Sequence, residues 1–108
     1  MVTTAFFENV QRDGRNAVLG FKPKGIGDMF VACLWSRWTK PGEPDLLSFA
    51  AITDEPPAEV AAAGHDHCII PIKEEHLDTW LNPRANPRAM HEILDDRERP
   101  YYEHQLAA

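Results

Sequence analysis

Residues that can transfer protons or bind metal ions are crowded into one short segment, GHDHC, at residues 64–68. Its two histidines, its aspartate and its cysteine all carry atoms that bind zinc. Successive side chains of an extended segment point to opposite sides, so only alternate members can reach one ion. No pair with zinc-ligand spacing elsewhere completes a set, and we therefore predict no metal and no other cofactor. In the alternative interpretation, Gly64 ends a helix and the next polar residues satisfy backbone groups at the turn.

The carboxyl group of Glu8 is a second candidate, because it interrupts the otherwise apolar segment AFFENV. On a strand, Glu8 shares a face with Phe6, whereas Phe7 points the other way. A carboxyl group in a dry pocket beside an aromatic ring suits general acid catalysis. A glutamate on an edge strand facing water instead protects the sheet against aggregation. The residues themselves leave both interpretations open.

The charge of the chain is unevenly distributed. The net charge is −6 over 108 residues, which argues against an isolated nucleic-acid-binding protein. Residues 1–40 nevertheless hold six lysines and arginines against three acidic residues, whereas residues 41–108 hold five against fourteen. A polyanion would therefore meet the N-terminal part first, where Arg12 and Arg15 lie; a solvated basic loop is the alternative.

Composition also limits the location of the chain. No apolar stretch is long enough to span a bilayer, so we expect no membrane association. The N-terminus lacks the basic and apolar regions of a signal peptide. The two cysteines, Cys33 and Cys68, lie in apolar contexts and do not indicate a disulfide framework. We therefore expect a cytoplasmic protein.

Hydrophobic patterning predicts strands in the first part of the chain and helices in the second. The predicted strands cover residues 4–10, 16–22, 29–35, 46–53 and 68–72. The predicted helices cover residues 54–64, 73–82 and 86–96, and residues 97–108 are expected to be extended along the surface. The apolar run at 29–35 is expected to be a buried central strand that forms a long-looped hairpin with 46–53. Pro71 makes the segment 68–72 an edge strand or a strand end.

These elements predict one domain over residues 1–108 with an α+β fold. We expect a mostly antiparallel, partly barrel-like sheet, with short helices late in the chain. Four or five strands are fewer than a barrel or a covered sheet usually needs. The chain is therefore expected to be part of a larger fold.

Five short motifs follow one another in an order that has a known counterpart: AFFEN, VACLWSRW, SFAAIT, GHDHC and LDTWLNP. The order resembles the C-terminal half of the SOS response-associated peptidase (SRAP) family. Members of that family carry G-F-Y-E-W, A-G-L-W-x-x-W, an I-x-T strand, H-D-R-M-P and a W-L-D-P helix end. The matching residues are Glu8, Trp35, Trp38, Thr53, His65 and the segment 80–83. The resemblance covers roughly residues 4–83, and several ordered matches are more specific than any one of them.

The resemblance implies recognition of abasic sites in single-stranded DNA and covalent attachment to them. In the family, a cysteine exposed by removal of the initiator methionine attacks the ring-opened sugar, and a glutamate and a histidine transfer protons. It thus implies that Glu8 and His65 are catalytic and that Arg12, Arg15, Trp35 and His67 bind DNA. For the catalytic role, Glu8 and His65 must converge in the folded chain.

The sequence also departs from the family pattern. Val2 stands where the attacking cysteine would be, and His67 replaces an arginine that can contact phosphate in two places at once. We therefore expect no covalent adduct from this polypeptide alone, and we expect its partner to be an N-terminal half or a second copy. Two other classes remain open: a non-catalytic binding module with an SRAP-like fold, and a hydrolase or metalloprotein built on the segment 64–68.

Overall fold

The computed structural model describes residues 1–107. The strands are β1 (Val2–Thr3), β2 (Phe6–Arg12), β3 (Arg15–Pro23), β4 (Met29–Val31), β5 (Cys33–Trp38), β6 (Leu46–Ala51), β7 (Thr53–Asp54), β8 (Cys68–Ile69), β9 (Pro71–Ile72) and β10 (Tyr102–Leu106). The helices are α1 (Ala58–Ala62), α2 (Leu77–Trp80) and α3 (Pro87–Asp95), and a 3-10 turn at Glu74–His76 leads into α2. No helix among these residues is long and apolar enough to cross a membrane.

The predicted α+β class is confirmed, with short helices late in the chain. All the strand pairs within residues 1–107 are antiparallel, and they form four small sheets, ordered β1-β4-β9, β10-β3-β2, β5-β6 and β7-β8. None of these sheets closes into a barrel. The expectation that 68–72 lies at sheet edges is also confirmed, since β8 and β9 both do.

The largest sheet is built on the β2–β3 hairpin. A two-residue turn joins its strands, with Arg12 opposite Arg15 and with positive φ at both Asp13 (51°) and Gly14 (73°). Two positive φ angles give the turn a twist that matches the twist of the strands. On the far side of β3, Tyr102–Leu106 adds a third strand. The tail is extended and largely exposed, as predicted, and it also pairs with the free edge of β3.

An aromatic cluster holds this sheet to the rest of the core. The ring of Phe6 stacks on Phe21 with centroids 5.0 Å apart, and Tyr102 meets Phe6 edge-on at 5.2 Å. Val60 of α1, which is fully buried, belongs to the same core. One strand from each end of the chain and one helix thus share a single core.

The apolar run predicted as one strand at 29–35 is broken at Ala32. There the N–H of Ala32 donates to the carbonyl of Ile70, between β8 and β9, and the carbonyl of Ala32 accepts from the N–H of Ile52, between β6 and β7. The chain passes at this residue from the β1-β4-β9 sheet into the β5–β6 hairpin. The predicted pairing with 46–53 is confirmed over Cys33–Trp38 and Leu46–Ala51. The expectation of a buried central strand is wrong for this half of the run, because both β5 and β6 are largely exposed.

The helices are shorter than predicted because proline and polar residues mark their ends. Pro57 precedes the five-residue α1, and the segment 73–82 is helical only over a 3-10 turn and four α-helical residues. α3 fits its prediction well: the side chain of Asn86 accepts a hydrogen bond from the N–H of Ala89, and Pro87 occupies the first turn. Helix α3 packs against α2, and its Ile93 belongs to a second core cluster, which also contains Ala32, Ile70 and Ile72.

Cys68 is a core residue rather than a reactive one. Its side chain is buried, and burial, followed by the nearby carboxylate of Glu8, raises the pKa of its thiol from the ordinary 9.0 to about 11. Both cysteines are free thiols. Cys68 is therefore uncharged near neutral pH and packs as a small apolar side chain.

The hairpin turn gives a prediction with a matched control. Gly14 and Gly27 both have open space where a Cβ would stand, but only Gly14 has a positive φ. Gly14→Ala should lower the free energy of unfolding by about 1 to 2 kcal/mol, because an L-residue is strained there. Gly27→Ala should change it by less than about 0.5 kcal/mol. Urea unfolding measures both, and equal effects would contradict the assigned turn.

Cys68 gives a prediction for alkaline stability. Between pH 9 and 11 the unfolded thiol has lost its proton while the folded thiol keeps it, so the unfolded state binds fewer protons and stability falls as pH rises. The loss from this one group should be on the order of 2 kcal/mol. Because Cys68→Ala removes the titrating group, its unfolding free energy should decline less steeply over the same interval. Parallel curves for the two proteins would show that the fold does not perturb this thiol.

Candidate functional site

The strand β2 presents Glu8 between two buried side chains. Phe6 and Val10 lie on the same face of the strand and are buried, while Phe7 on the opposite face is exposed, as the alternation predicted. The cross-strand partner of Glu8 is Leu19, which is fully buried. The Glu8 side chain itself is 23% exposed. Its carboxyl group thus lies at the border between core and solvent.

The turn after α1 carries His65 to the same place. Gly64 has a φ of +100°, and a Cβ at that position would lie 3.7 Å from Cβ of Val10 on β2. The N–H of His65 donates to the carbonyl of Val60 at 3.3 Å, which ties the turn to the buried helix. The prediction that Gly64 ends the helix is confirmed. Its left-handed conformation, which favours glycine, directs the chain back across β2.

Glu8 and His65 converge, as their assignment required. Nε2 of His65 lies 3.1 Å from Oε2 of Glu8, and the two residues are 57 positions apart in the sequence. The imidazole is 10% exposed. Although the two atoms are close, Nε2 makes no aligned hydrogen bond with any group in residues 1–107. The contact is therefore electrostatic, and the nitrogen retains its capacity to bind a further group.

His67 and Asp66 extend this pair toward the surface. The ring of His67 lies 4.3 Å from the ring of His65, centroid to centroid, and its side chain is 47% exposed. Oδ1 of Asp66 lies 2.7 Å from Nδ1 of His67. This hydrogen bond, and then the charge of the imidazole, lowers the pKa of the Asp66 carboxyl. Asp66 keeps its negative charge and orients the His67 ring.

Arg12 and Arg15 lie at the far end of the same hairpin. They face each other across the turn, and both are exposed. Arg12 is on the Glu8 face of β2, four residues and therefore about 14 Å further along the strand. Neither guanidinium forms an ion pair with an acidic side chain in the described chain. The two arginines are thus free to meet an anion that passes along the hairpin.

Trp35 is the predicted DNA-binding residue that belongs to a different part of the fold. It projects from the β5–β6 hairpin, 74% exposed, and lines an apolar groove of about 1140 Å³ together with Trp80. Trp38 is on the same hairpin, and Asn82 and Pro83 also line this groove. Neither Glu8 nor His65 lines this groove or the two other cavities found on residues 1–107. The matched motifs therefore divide into a polar site and a separate apolar surface.

Two features of the site escaped sequence reasoning. The orientation of His67 by Asp66 was not predicted. The only signal for it in the sequence is that the two residues are adjacent. The approach of Val10 to Gly64 was missed because nothing local in the sequence marks it.

Chemically, the carboxyl and imidazole groups can pass a proton between a bound molecule and solvent.

Comparison with known proteins supports the family resemblance that the motifs indicated. A family model described as SOS response associated peptidase (SRAP) matches residues 1–107. A crystal structure of a protein from Bacteroides thetaiotaomicron is similar over 99% of this chain and 47% of its own, with a TM-score of 0.77 and 14% identity. A protein from Bordetella bronchiseptica is similar over 100% of this chain and 53% of its own, with a TM-score of 0.73 and 15% identity. No curated protein matches the sequence.

The chain thus spans about half the length of the solved structures that it resembles. At such low identity these structures show the fold alone. The family model, in contrast, covers almost the whole chain, and the resemblance inferred from the five motifs is confirmed. This chain belongs to the SOS response associated peptidase (SRAP) family.

Proposed function

We propose that this chain acts in the DNA-damage response by recognising abasic sites in single-stranded DNA, in the reducing environment of the cytoplasm. It corresponds to the C-terminal part of an SRAP domain and supplies the residues that transfer protons. The observation that carries the proposal is the 3.1 Å contact between His65 and Glu8, two residues that match the family motifs and are remote in sequence. A partner polypeptide supplies the nucleophile.

The chemistry that the family resemblance implies requires such proton transfers. The α-amine of an N-terminal cysteine adds to the aldehyde carbon of the ring-opened sugar and gives a carbinolamine. Loss of water then yields an imine, and the thiol of the same cysteine adds to the imine carbon and closes a thiazolidine ring. A carboxyl group can protonate the departing hydroxyl, and an imidazole can take up the proton that the amine releases. In this proposal, Glu8 and His65 take these two roles.

No thiol of this chain replaces that nucleophile. Ring closure needs the amine and the thiol on one residue, and residue 2 is Val2. Cys68 is buried with a raised pKa, and Cys33 lies on the β5–β6 hairpin. The α-amine of Met1 donates a hydrogen bond to the carbonyl of Val31 at 3.1 Å. We therefore expect the chain to contribute to crosslinking without starting it.

The hairpin end supplies the contacts to DNA in this proposal. Arg12 and Arg15 meet the phosphates next to the lesion, where each cationic contact adds affinity and salt dependence. His67 stands in for an arginine of the family, and an imidazole contacts phosphate more weakly than a guanidinium does. The exposed ring of Trp35 offers a stacking surface for a base of the same strand.

A second function is favoured by the apolar surface. On one face of the β5–β6 hairpin, Trp35 pairs with Phe49, and the two side chains are 74% and 67% exposed. Two-stranded hairpins are marginal unless another layer covers them. In this alternative the chain is a non-catalytic module whose hairpin and groove bind a second polypeptide, either an N-terminal half of an SRAP domain or another copy of this chain.

The crosslinking proposal predicts dependence on a second polypeptide. The purified chain and single-stranded DNA with one abasic site should give no adduct on a denaturing gel. Addition of an N-terminal SRAP half that begins with cysteine should produce the adduct. Glu8→Gln and His65→Asn should each slow its formation about 100-fold or more, because proton transfer is lost.

Glu103→Gln is the control for that assay, since Glu103 is an exposed carboxylate on the same sheet as Glu8. It should leave the rate unchanged, and DNA without the lesion should give no adduct. A stable adduct from the purified chain alone would overturn the divided roles. An unchanged rate for Glu8→Gln would remove Glu8 from the chemistry.

The alternative predicts self-association when no partner is present. Light scattering after size exclusion should give a mass above the 12.2 kDa of one chain. Replacing Trp35 and Phe49 by serine should reduce association, because the apolar contact area is lost. Val18→Ser, at an exposed apolar residue of β3, should have no such effect. A stable monomer with one cooperative thermal transition would count against the binding module.

A further inference from the structure

Three side chains with the donor atoms of a metal site face one another beside β2. Glu8, His65 and His67 each offer one ligand atom, and these atoms lie within 4.8 Å of one another. The sequence alone predicted no metal because the segment 64–68 lacked a partner elsewhere. The fold supplies one, since β2 brings a carboxylate to the two histidines.

His65 has the burial and the unpartnered nitrogen that are expected of a metal ligand. Its side chain is 10% exposed, and Nε2 has no hydrogen-bond partner within the described residues. Buried polar atoms of this kind are rare in folded proteins and call for an explanation. Two ligands of a tetrahedral zinc ion, each about 2.0–2.2 Å from it, lie about 3.3–3.6 Å apart. The observed 3.1 Å between Nε2 and Oε2 of Glu8 needs only a small adjustment to reach that spacing.

His67 has the second contact that ligating histidines usually have. Nδ1 of His67 lies 2.7 Å from the carboxylate of Asp66, so Nδ1 carries the proton and Nε2 keeps a free lone pair. Carboxylate–imidazole contacts of this kind fix the ring orientation and make the other nitrogen a better ligand. Since the side chain of His67 is half exposed, an ion can approach it from solvent.

We propose that Glu8, His65 and His67 bind a divalent transition-metal ion, with zinc the best match, and that water completes its coordination. Two imidazoles and one carboxylate form a donor set that suits zinc and leaves a fourth position open. The cation would neutralise the carboxylate and give Nε2 of His65 the partner that it lacks. This proposal does not rest on the proposed crosslinking, although Glu8 and His65 take part in both, and the site differs from the arginine-containing family motif in the residue that supplies the third ligand.

A second group of potential ligands provides a control within the same chain. Glu75, His76 and Asp96 also lie within 4.8 Å of one another. Both oxygens of Asp96 are already engaged, one by Nζ of Lys73 at 2.7 Å and the other by Nε2 of His76 at 2.8 Å. These two contacts lower the pKa of Asp96. The ammonium group repels a cation, and we therefore assign no metal to this second group.

The test is a calorimetric titration with Zn²⁺ near neutral pH, carried out on protein that has been treated with chelator and dialysed. One ion should bind per chain. His67→Arg should weaken binding more than about tenfold, and Asp66→Asn, a surface change, should weaken it about 10- to 100-fold through the orientation of His67. His76→Asn should bind Zn²⁺ as the original protein does. Co²⁺ should give visible absorption typical of tetrahedral coordination in the original protein and not in His67→Arg.

Two outcomes would overturn this proposal. The first is an absence of saturable Zn²⁺ binding by the original protein. The second is binding that survives in both His67→Arg and Asp66→Asn. Circular dichroism of each variant establishes whether it is folded. If His67→Arg does not fold, Asp66→Asn still tests the proposal.

Discussion

The contact between the turn at Gly64 and strand β2 is the constraint on which the polar site depends. Val60 anchors α1 in the core, and Val10 lies so near Gly64 that a Cβ added there would be in ordinary van der Waals contact with it. Gly64 has a left-handed conformation, and the imidazole of His65, the next residue, lies beside Glu8. Burial on both sides of the contact supplies the stabilisation, because apolar area removed from water contributes about 25 cal/mol per Å². The site is therefore positioned by core packing rather than by the weak attraction of its own charges.

Burial differs between two parts of the molecule: one part is packed, and the other is exposed to solvent. Its radius of gyration is 16.2 Å, whereas about 13 Å is typical of a compact domain of this length. The excess reflects the β5–β6 hairpin, which projects from the core with apolar residues on both faces. The aromatic cluster of β2, β3 and β10, in contrast, is buried, with ring centroids 5.0 and 5.2 Å apart. The polar site lies on the packed part, so its geometry does not depend on the projecting hairpin.

Local patterns predicted the parts of the fold that depend on local physics. Alternation placed Glu8 on the Phe6 face, and the Asn86–Pro87 pair marked the start of α3. The break at Ala32 could not be predicted, because Ala32 forms its backbone hydrogen bonds with residues that are 20 and 38 positions away in the sequence. The exposure of Trp35 was missed for a related reason: an apolar run indicates burial, but it does not reveal which chain provides the cover. In the site, residue types and motif order identified Glu8 and His65, whereas the grouping of Glu8 with His67 required the fold.

The proposed proton transfer and the proposed metal binding would use the same lone pairs of the imidazole nitrogen and the carboxylate. A nitrogen lone pair that holds an ion cannot accept a proton, and a carboxylate bound to an ion is a poor acid. The two proposed activities would therefore exclude each other at any one moment, and His67, where the family motif has an arginine, would decide how closely they compete. A guanidinium in this position would repel a cation beside Glu8, while an imidazole held by Asp66 attracts one. In the two proposals, the imidazole of His67 would therefore weaken contact with phosphate and favour the binding of a cation.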